Sequence, residues 1–128
     1  MIQRIQSVYL LLAAITGIIL LFVPVATTGE FNVYILQSIL ATVCVILASL
    51  GSLITTGLFK SRKLQMILCR TLMLLFALAA GLAYYSVIHI NRKLPGLFLP
   101  VISIVFLILA FRAIRKDEKL VRSADRLR

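Results

Sequence analysis

The chain has 128 residues, 62% of them hydrophobic, with a mean hydropathy of +1.09. A water-soluble domain is about half apolar, so the composition excludes both a soluble enzyme domain and a disordered chain and leaves a protein solvated by lipid. The net charge of +10, from 14 Lys+Arg against 4 Asp+Glu, would suggest nucleic acid in a soluble protein; here the charges sit between and after apolar runs, where they set orientation in a membrane.

The first apolar run, Val8 to Val25, predicts a span over 7–25, closed by Pro24. It is too long for the apolar core of a signal peptide, and Pro24-Val25-Ala26-Thr27 is a poor cleavage site, so it reads as a retained span. A link over 26–32 follows, with Gly29 for the turn and Asn32 to cap the next helix. The second span covers 33–59, the basic link Lys60-Ser61-Arg62-Lys63 comes next, and the third span covers 69–90. After Asn91-Arg92-Lys93 the fourth span covers 96–114. Its start lies between Pro95 and Pro100, because proline disfavours a helical residue before it. Runs this long and continuous are helices, since backbone groups in lipid must pair within their own segment. Short links make neighbours antiparallel. The expected fold is therefore all-α: one integral membrane domain over 1–128, an up-down-up-down four-helix bundle with a basic C-terminal helical tail over 112–128.

An even number of spans gathers Arg4, the second link with Arg70, and the tail on one side, twelve basic residues in all; Arg92 and Lys93 are left on the other. The positive-inside rule puts both termini in the cytoplasm. Phe31, Tyr34, Tyr85 and Phe98 would form an outer aromatic belt, with Tyr9 and Phe59 near the inner one. Arg70 and Arg112 would snorkel from helix ends to the headgroups.

Small residues stand at helical spacing: Cys44, Ala48, Ser52 and Thr56 in the second span, Ala13 and Gly17 in the first, Ala77 and Gly81 in the third. Flat faces of this kind pack helices in lipid; they serve either the bundle itself or a docked partner. Polar groups within the spans are mild (Thr16, Gln37, Ser38, Thr42, Ser49, Ser52, Thr55, Thr71), and no Asp, Glu, Lys or Arg lies at a midplane. That argues against a proton-coupled transporter or pump. Gln37 is read as making an interhelical hydrogen bond.

No catalytic set emerges. The lone His89 lies at the outer end of the third span with no ligand partner at metal spacing. Cys44 and Cys69 fall at different depths, too far apart for a bridge. There is no HExxH, no phosphate-binding glycine loop and no pair of intramembrane carboxylates. The expectation is no enzyme activity, no cofactor, no metal and no catalytic residue.

The tail is the most distinctive segment. It has no Gly or Pro, and Glu118 precedes Arg122 by four, a helix-supporting pair. Arg112, Arg115, Lys116, Lys119, Arg122 and Arg126 are the candidate contacts for anionic lipid headgroups or for a partner. Ala113, Leu120, Ala124 and Leu127 form a narrow apolar stripe suited to a partner helix. Nucleic acid is disfavoured, since no aromatic is interleaved for base stacking.

The opening Met1-Ile-Gln-Arg-Ile-Gln-Ser-Val-Tyr-Leu-Leu-Leu-Ala-Ala14 and the closing Arg112-Ala-Ile-Arg-Lys-Asp-Glu-Lys-Leu-Val-Arg-Ser-Ala-Asp-Arg-Leu-Arg128 resemble the small bacterial integral membrane proteins of domain-of-unknown-function family 4293. The resemblance runs the whole length and is most specific in the tail. It implies a Gram-negative inner membrane and carries no activity, cofactor or catalytic residue. The functional expectation is a non-enzymatic accessory or scaffold protein, binding a membrane-protein or cytoplasmic partner through flat helix faces and the tail. The alternative is a small transporter or channel subunit acting as a homo-oligomer.

Overall fold

A computed structural model of the chain describes residues 2–28, 31–35, 39–58, 61–88, 96 and 98–125. The elements are α1 (Ile2–Phe22), β1 (Pro24–Thr28), β2 (Phe31–Tyr34), α2 (Ile39–Gly57), α3 (Arg62–Val87) and α4 (Phe98–Asp125). Four helices contain stretches long and apolar enough to cross a membrane: Ile5–Phe22, Ile39–Gly57, Arg62–Tyr85 and Phe98–Ser123.

Each helix buries a seam whose steps alternate between three and four residues. In α1 the seam is Gln6, Leu10, Ala13, Gly17, Leu20; in α2 it is Ala41, Val45, Ala48, Ser52, Thr55. In α3 it is Gln65, Cys69, Leu72, Phe76, Ala79, Ala83, and in α4 Pro100, Ser103, Leu107, Ala110, Ile114. This is the repeat that keeps one face of a helix turned toward its neighbours over several turns. α1 packs on α2 and α4, and α3 closes the ring against the same two helices. The result is an antiparallel four-helix bundle.

Two clusters fill it. Leu10, Ala13, Ala48, Cys69, Leu72, Phe76, Leu107, Ala110 and Ile114 form the first, in the half containing the chain's N-terminus. Leu20, Val25, Ile35, Ala41, Val45, Ala79 and Ala83 form the second, at the opposite end. The outward faces are just as apolar: Ile39 is 78% exposed, Tyr85 71% and Leu74 70%. A continuous apolar exterior of this kind needs lipid, not water, around it.

One feature departs from the all-helical expectation. The link over 26–32 is not a simple turn: β1 and β2 pair antiparallel, with Ala26 opposite Val33, Thr27 opposite Asn32 and Thr28 opposite Phe31. The register shifts between Pro24 and Ala26. Asn32, expected at the cap position, is a strand residue seven positions before the start of α2. α2 starts at Ile39, later than the expected 33, because Val25 and Ile35 are turned onto the ends of α1 and α2, where each is 2% exposed. The Thr42 hydroxyl donates to the Ile35 carbonyl at 2.8 Å, tying the hairpin's exit to the first turn of α2. On the other side Gly96 lies flat against β1. A Cβ there would stand 2.5 Å from the Pro24 carbonyl oxygen, so only glycine allows the approach.

Helices also outrun their apolar runs at the other end. α3 begins at Arg62 and not at 69, and α4 continues without interruption through the tail to Asp125, 28 residues in all. At 1.5 Å per residue that is about 42 Å, longer than a hydrocarbon core of about 30 Å.

Candidate functional site at the basic end of the bundle

The antiparallel ring brings three segments to one end: the start of α1, the α2–α3 turn and the last third of α4. There the inward seam turns from apolar to polar. Gln6 and Gln65 are 5% and 4% exposed. Gln65 Nε2 donates to the Thr55 carbonyl at 3.1 Å and so secures the end of α2 against α3. One turn before Gln65 comes Arg62, and one turn after Ile114 comes Asp117. They meet: Arg62 Nη2 lies 3.3 Å from Asp117 Oδ2, and Nη1 donates to the Asp117 carbonyl at 3.4 Å. The α3 and α4 seams thus end in an ion pair.

The outward face of α4 carries the opposite pattern. Arg112, Arg115, Lys116 and Lys119 are all exposed and follow the i, i+3, i+4, i+7 rule of a single helix face. That face points away from Leu107, Ala110 and Ile114. The four line one open cleft of about 350 Å³. Arg112 and Lys116 also edge a second groove of about 450 Å³ between α1 and α4, whose walls are Ile5, Tyr9, Leu109 and Ala113. The nearby carboxylates are turned elsewhere. Asp117 takes Arg62, and Glu118 takes Arg122 at 2.7 Å along the helix. Among the described residues, no ion pair engages the four cations on the outward face. On α3, Lys63 and Arg70 flank Met66 and Ile67 in a shallower cleft of about 270 Å³. The Arg70 guanidinium sits 5.3 Å from the Phe111 ring centroid, a cross-helix cation–π contact.

The structure thus assembles Arg112, Arg115, Lys116 and Lys119 but diverts Arg122. That residue pairs with Glu118 and lines a separate cleft of about 500 Å³ with Ser61, Arg62, Lys63 and Val121. Arg126 lies outside the described residues, as do Gln37, Ser38, His89, Arg92, Lys93 and Leu127; the side chains of Arg4 and Ala124 are likewise not described.

The small residues divide. Ala13, Gly17, Ala48 and Ser52 are buried in the bundle. At Gly17 a Cβ would run into Ser49 Oγ and stand 3.0 Å from the Phe76 ring, so glycine opens the space that Phe76 fills. Cys44 and Thr56 are half-buried, one position beside the true seam residues Val45 and Thr55. Ala77 and Gly81 are exposed, and a Cβ on Gly81 would meet nothing within 4 Å. They take no part in packing within the bundle: α3 turns its larger residues, Leu72 and Phe76, inward to fill the space that the small residues of α1 and α2 leave open.

Two buried groups escaped the sequence reading. Ser103 Oγ lies 2.7 Å from Thr16 Oγ1, a hydroxyl clasp between α4 and α1. Gln6 is enclosed, and its Nε2 has no hydrogen-bond partner among the described residues. Only the three- and four-residue seam, drawn inward from Leu10, would have pointed to Gln6. Chemically, this end of the bundle offers fixed positive charge beside apolar walls. Among the described residues no group of three His, Cys, Asp or Glu could hold a metal ion, and Cys44 and Cys69 are both free, in different clusters.

One family model matches nearly the whole chain. The chain belongs to the family described as Domain of unknown function (DUF4293). The match covers residues 2–127, from the first turn of α1 to the end of the basic tail. No curated protein and no solved structure matches this DUF4293 chain.

Proposed function

We propose that this DUF4293 protein is a non-enzymatic accessory or scaffold protein of the bacterial inner membrane. Both termini are cytoplasmic, the basic end of the bundle rests among anionic lipid headgroups, and the projecting part of α4 is offered to a protein partner. The observation that carries the reading is the segregation of charge on α4: four cations share its outward face while Asp117 and Glu118 are held by arginines. Cations just beyond a span are attracted to anionic lipid at about 1 kcal/mol each. Most of the flat helix faces are consumed inside the bundle, so the partner surface moves to the tail, where Leu120 and Val121 are exposed.

Native mass spectrometry on tagged protein drawn gently from its own membrane tests this. A stoichiometric second protein is expected, lost on Leu120→Asp with the bundle still inserted. A clean homo-oligomer carrying only lipid overturns the scaffold reading in favour of a channel or transporter subunit.

A further inference from the structure

We infer that the α1–α4 groove and the cationic cleft beside it form one binding site for a phospholipid that carries two phosphodiesters on a single headgroup. The inference rests on the reading of the basic end as a headgroup surface and names the lipid class that surface selects.

The two clefts lie side by side, with Arg112 and Lys116 lining both. Their four cations fall into two i, i+4 pairs, Arg112 with Lys116 and Arg115 with Lys119. The pairs are offset by three residues, about 4.5 Å along the helix axis. A headgroup with one phosphodiester carries one negative charge and would occupy one pair. Two phosphodiesters joined through a short polyol bridge place two charges a few bonds apart, one for each pair. Arginine and lysine both donate to phosphate oxygens, arginine in a planar fork and lysine as a point charge.

The rest of the site suits a lipid better than a soluble phosphate. The half-buried Tyr9 and Leu109 lie farther from the basic end than the exposed Ile5 and the half-buried Ala113. The apolar wall therefore runs from the charged lip toward the hydrocarbon, along the path an acyl chain must take. Basic pockets between spanning helices on the cytoplasmic side are the known setting for multiply charged lipid headgroups. No described carboxylate competes for the four cations, so the charge is available to a ligand.

The test uses the full chain in nanodiscs of phosphatidylcholine containing both cardiolipin and phosphatidylglycerol, matched for total charge. Lipids retained after release are counted by native mass spectrometry. The wild type is expected to retain the two-phosphate lipid over the one-phosphate lipid by about tenfold. R112Q/K116Q should bring the ratio to parity, whereas K63Q/R70Q, with the same loss of charge outside the site, should leave it unchanged. Ala113→Leu fills the groove without altering charge and should reduce lipid retention while leaving binding of inorganic pyrophosphate intact. Circular dichroism checks that each variant keeps its helices.

Equal retention of the two anionic lipids by the wild type overturns the proposal but leaves the headgroup surface standing. Retention of neither over phosphatidylcholine overturns both. Displacement of bound cardiolipin by pyrophosphate, with Ala113→Leu indistinguishable from wild type, also overturns the proposal and assigns the cleft to a soluble phosphate.

Discussion

Gly17 and Gly81 are both glycines in apolar helices, and their contrasting surroundings show how little residue type says about role. Gly17 faces Ser49 and Phe76 across the bundle; Gly81 faces outward with open space around it. Any side chain at Gly17 must push α2 away or force Phe76 off its rotamer. Overpacking of this kind costs about 1–3 kcal/mol, so Gly17→Val should lower unfolding stability in detergent by that amount. Gly81→Ala should leave stability unchanged or raise it by less than about 1 kcal/mol, since alanine is the better helix former. A thermal or denaturant titration of the two variants separates the cases. Similar losses for both would show that α3 is rotated from the orientation described. The buried hydroxyls contribute less than such packing. Ser49, Ser52 and Thr55 donate to the carbonyls of Val45, Ala48 and Gly51 one turn back, so they satisfy themselves within α2. The Thr16–Ser103 contact crosses between helices, and bonds of that type average about 0.6 kcal/mol in lipid.

At the scale of the element, α4 is distinctive because it does two jobs in one unbroken helix. Its first half is a spanning segment and its second a charged rod, with no Gly or Pro at the change. The junction is held by Arg62 and Asp117, whose side chains are 28% and 13% exposed. Removing one partner leaves the other charge half-enclosed and unpaired, which costs about 1 kcal/mol or somewhat above. Asp117→Asn should therefore speed amide exchange over 118–125 with little effect on the centre of α4, and Arg62→Gln should do the same. The double variant should be no worse than Arg62→Gln alone, which already removes both the ion pair and the hydrogen bond to the Asp117 carbonyl. Additive effects would show that the two residues act through separate contacts. The hairpin is the element that hydropathy misread. Val33 to Leu36 are parted from the apolar run of α2 only by Gln37 and Ser38, so hydropathy assigns them to the span. Yet β-branched and aromatic residues on either side of Gly29-Glu30 carry a hairpin signal, a two-residue connection that starts with glycine. Val25 and Ile35 are apolar because they lid the bundle, not because they cross lipid.

For the whole molecule, charge asymmetry and fold agree. The antiparallel ring collects the start of α1, the α2–α3 turn with the first third of α3, and the end of α4 at one end, and twelve of the fourteen basic residues belong to those segments of the sequence. The positive-inside rule then predicts that an activity reporter fused after Arg128 reads cytoplasmic. A reading from the opposite side of the membrane would contradict that orientation. The exterior of the bundle is apolar along all four helices, so detergent or lipid is needed for the fold to persist.

The order of apolar runs and charges along the sequence by itself determined that the chain is helical, has four segments able to cross lipid and gathers its positive charge toward one end, because backbone groups in hydrocarbon must pair within their own helix. The inward face was legible only in part: Ala13, Gly17, Ala48 and Ser52 marked it in α1 and α2, but lipid-facing and core-facing positions are otherwise equally apolar and leave no amphipathic contrast to read. Only the tertiary structure set that rotation. It chose Val45 and Thr55 over Cys44 and Thr56 and turned Ala77 and Gly81 outward. It also carried the α3 and α4 seams past the apolar core to join Arg62 with Asp117. Steric fit made the choice, with Phe76 entering the space left by Gly17, and fit depends on residues from different helices that are adjacent only once the chain has folded.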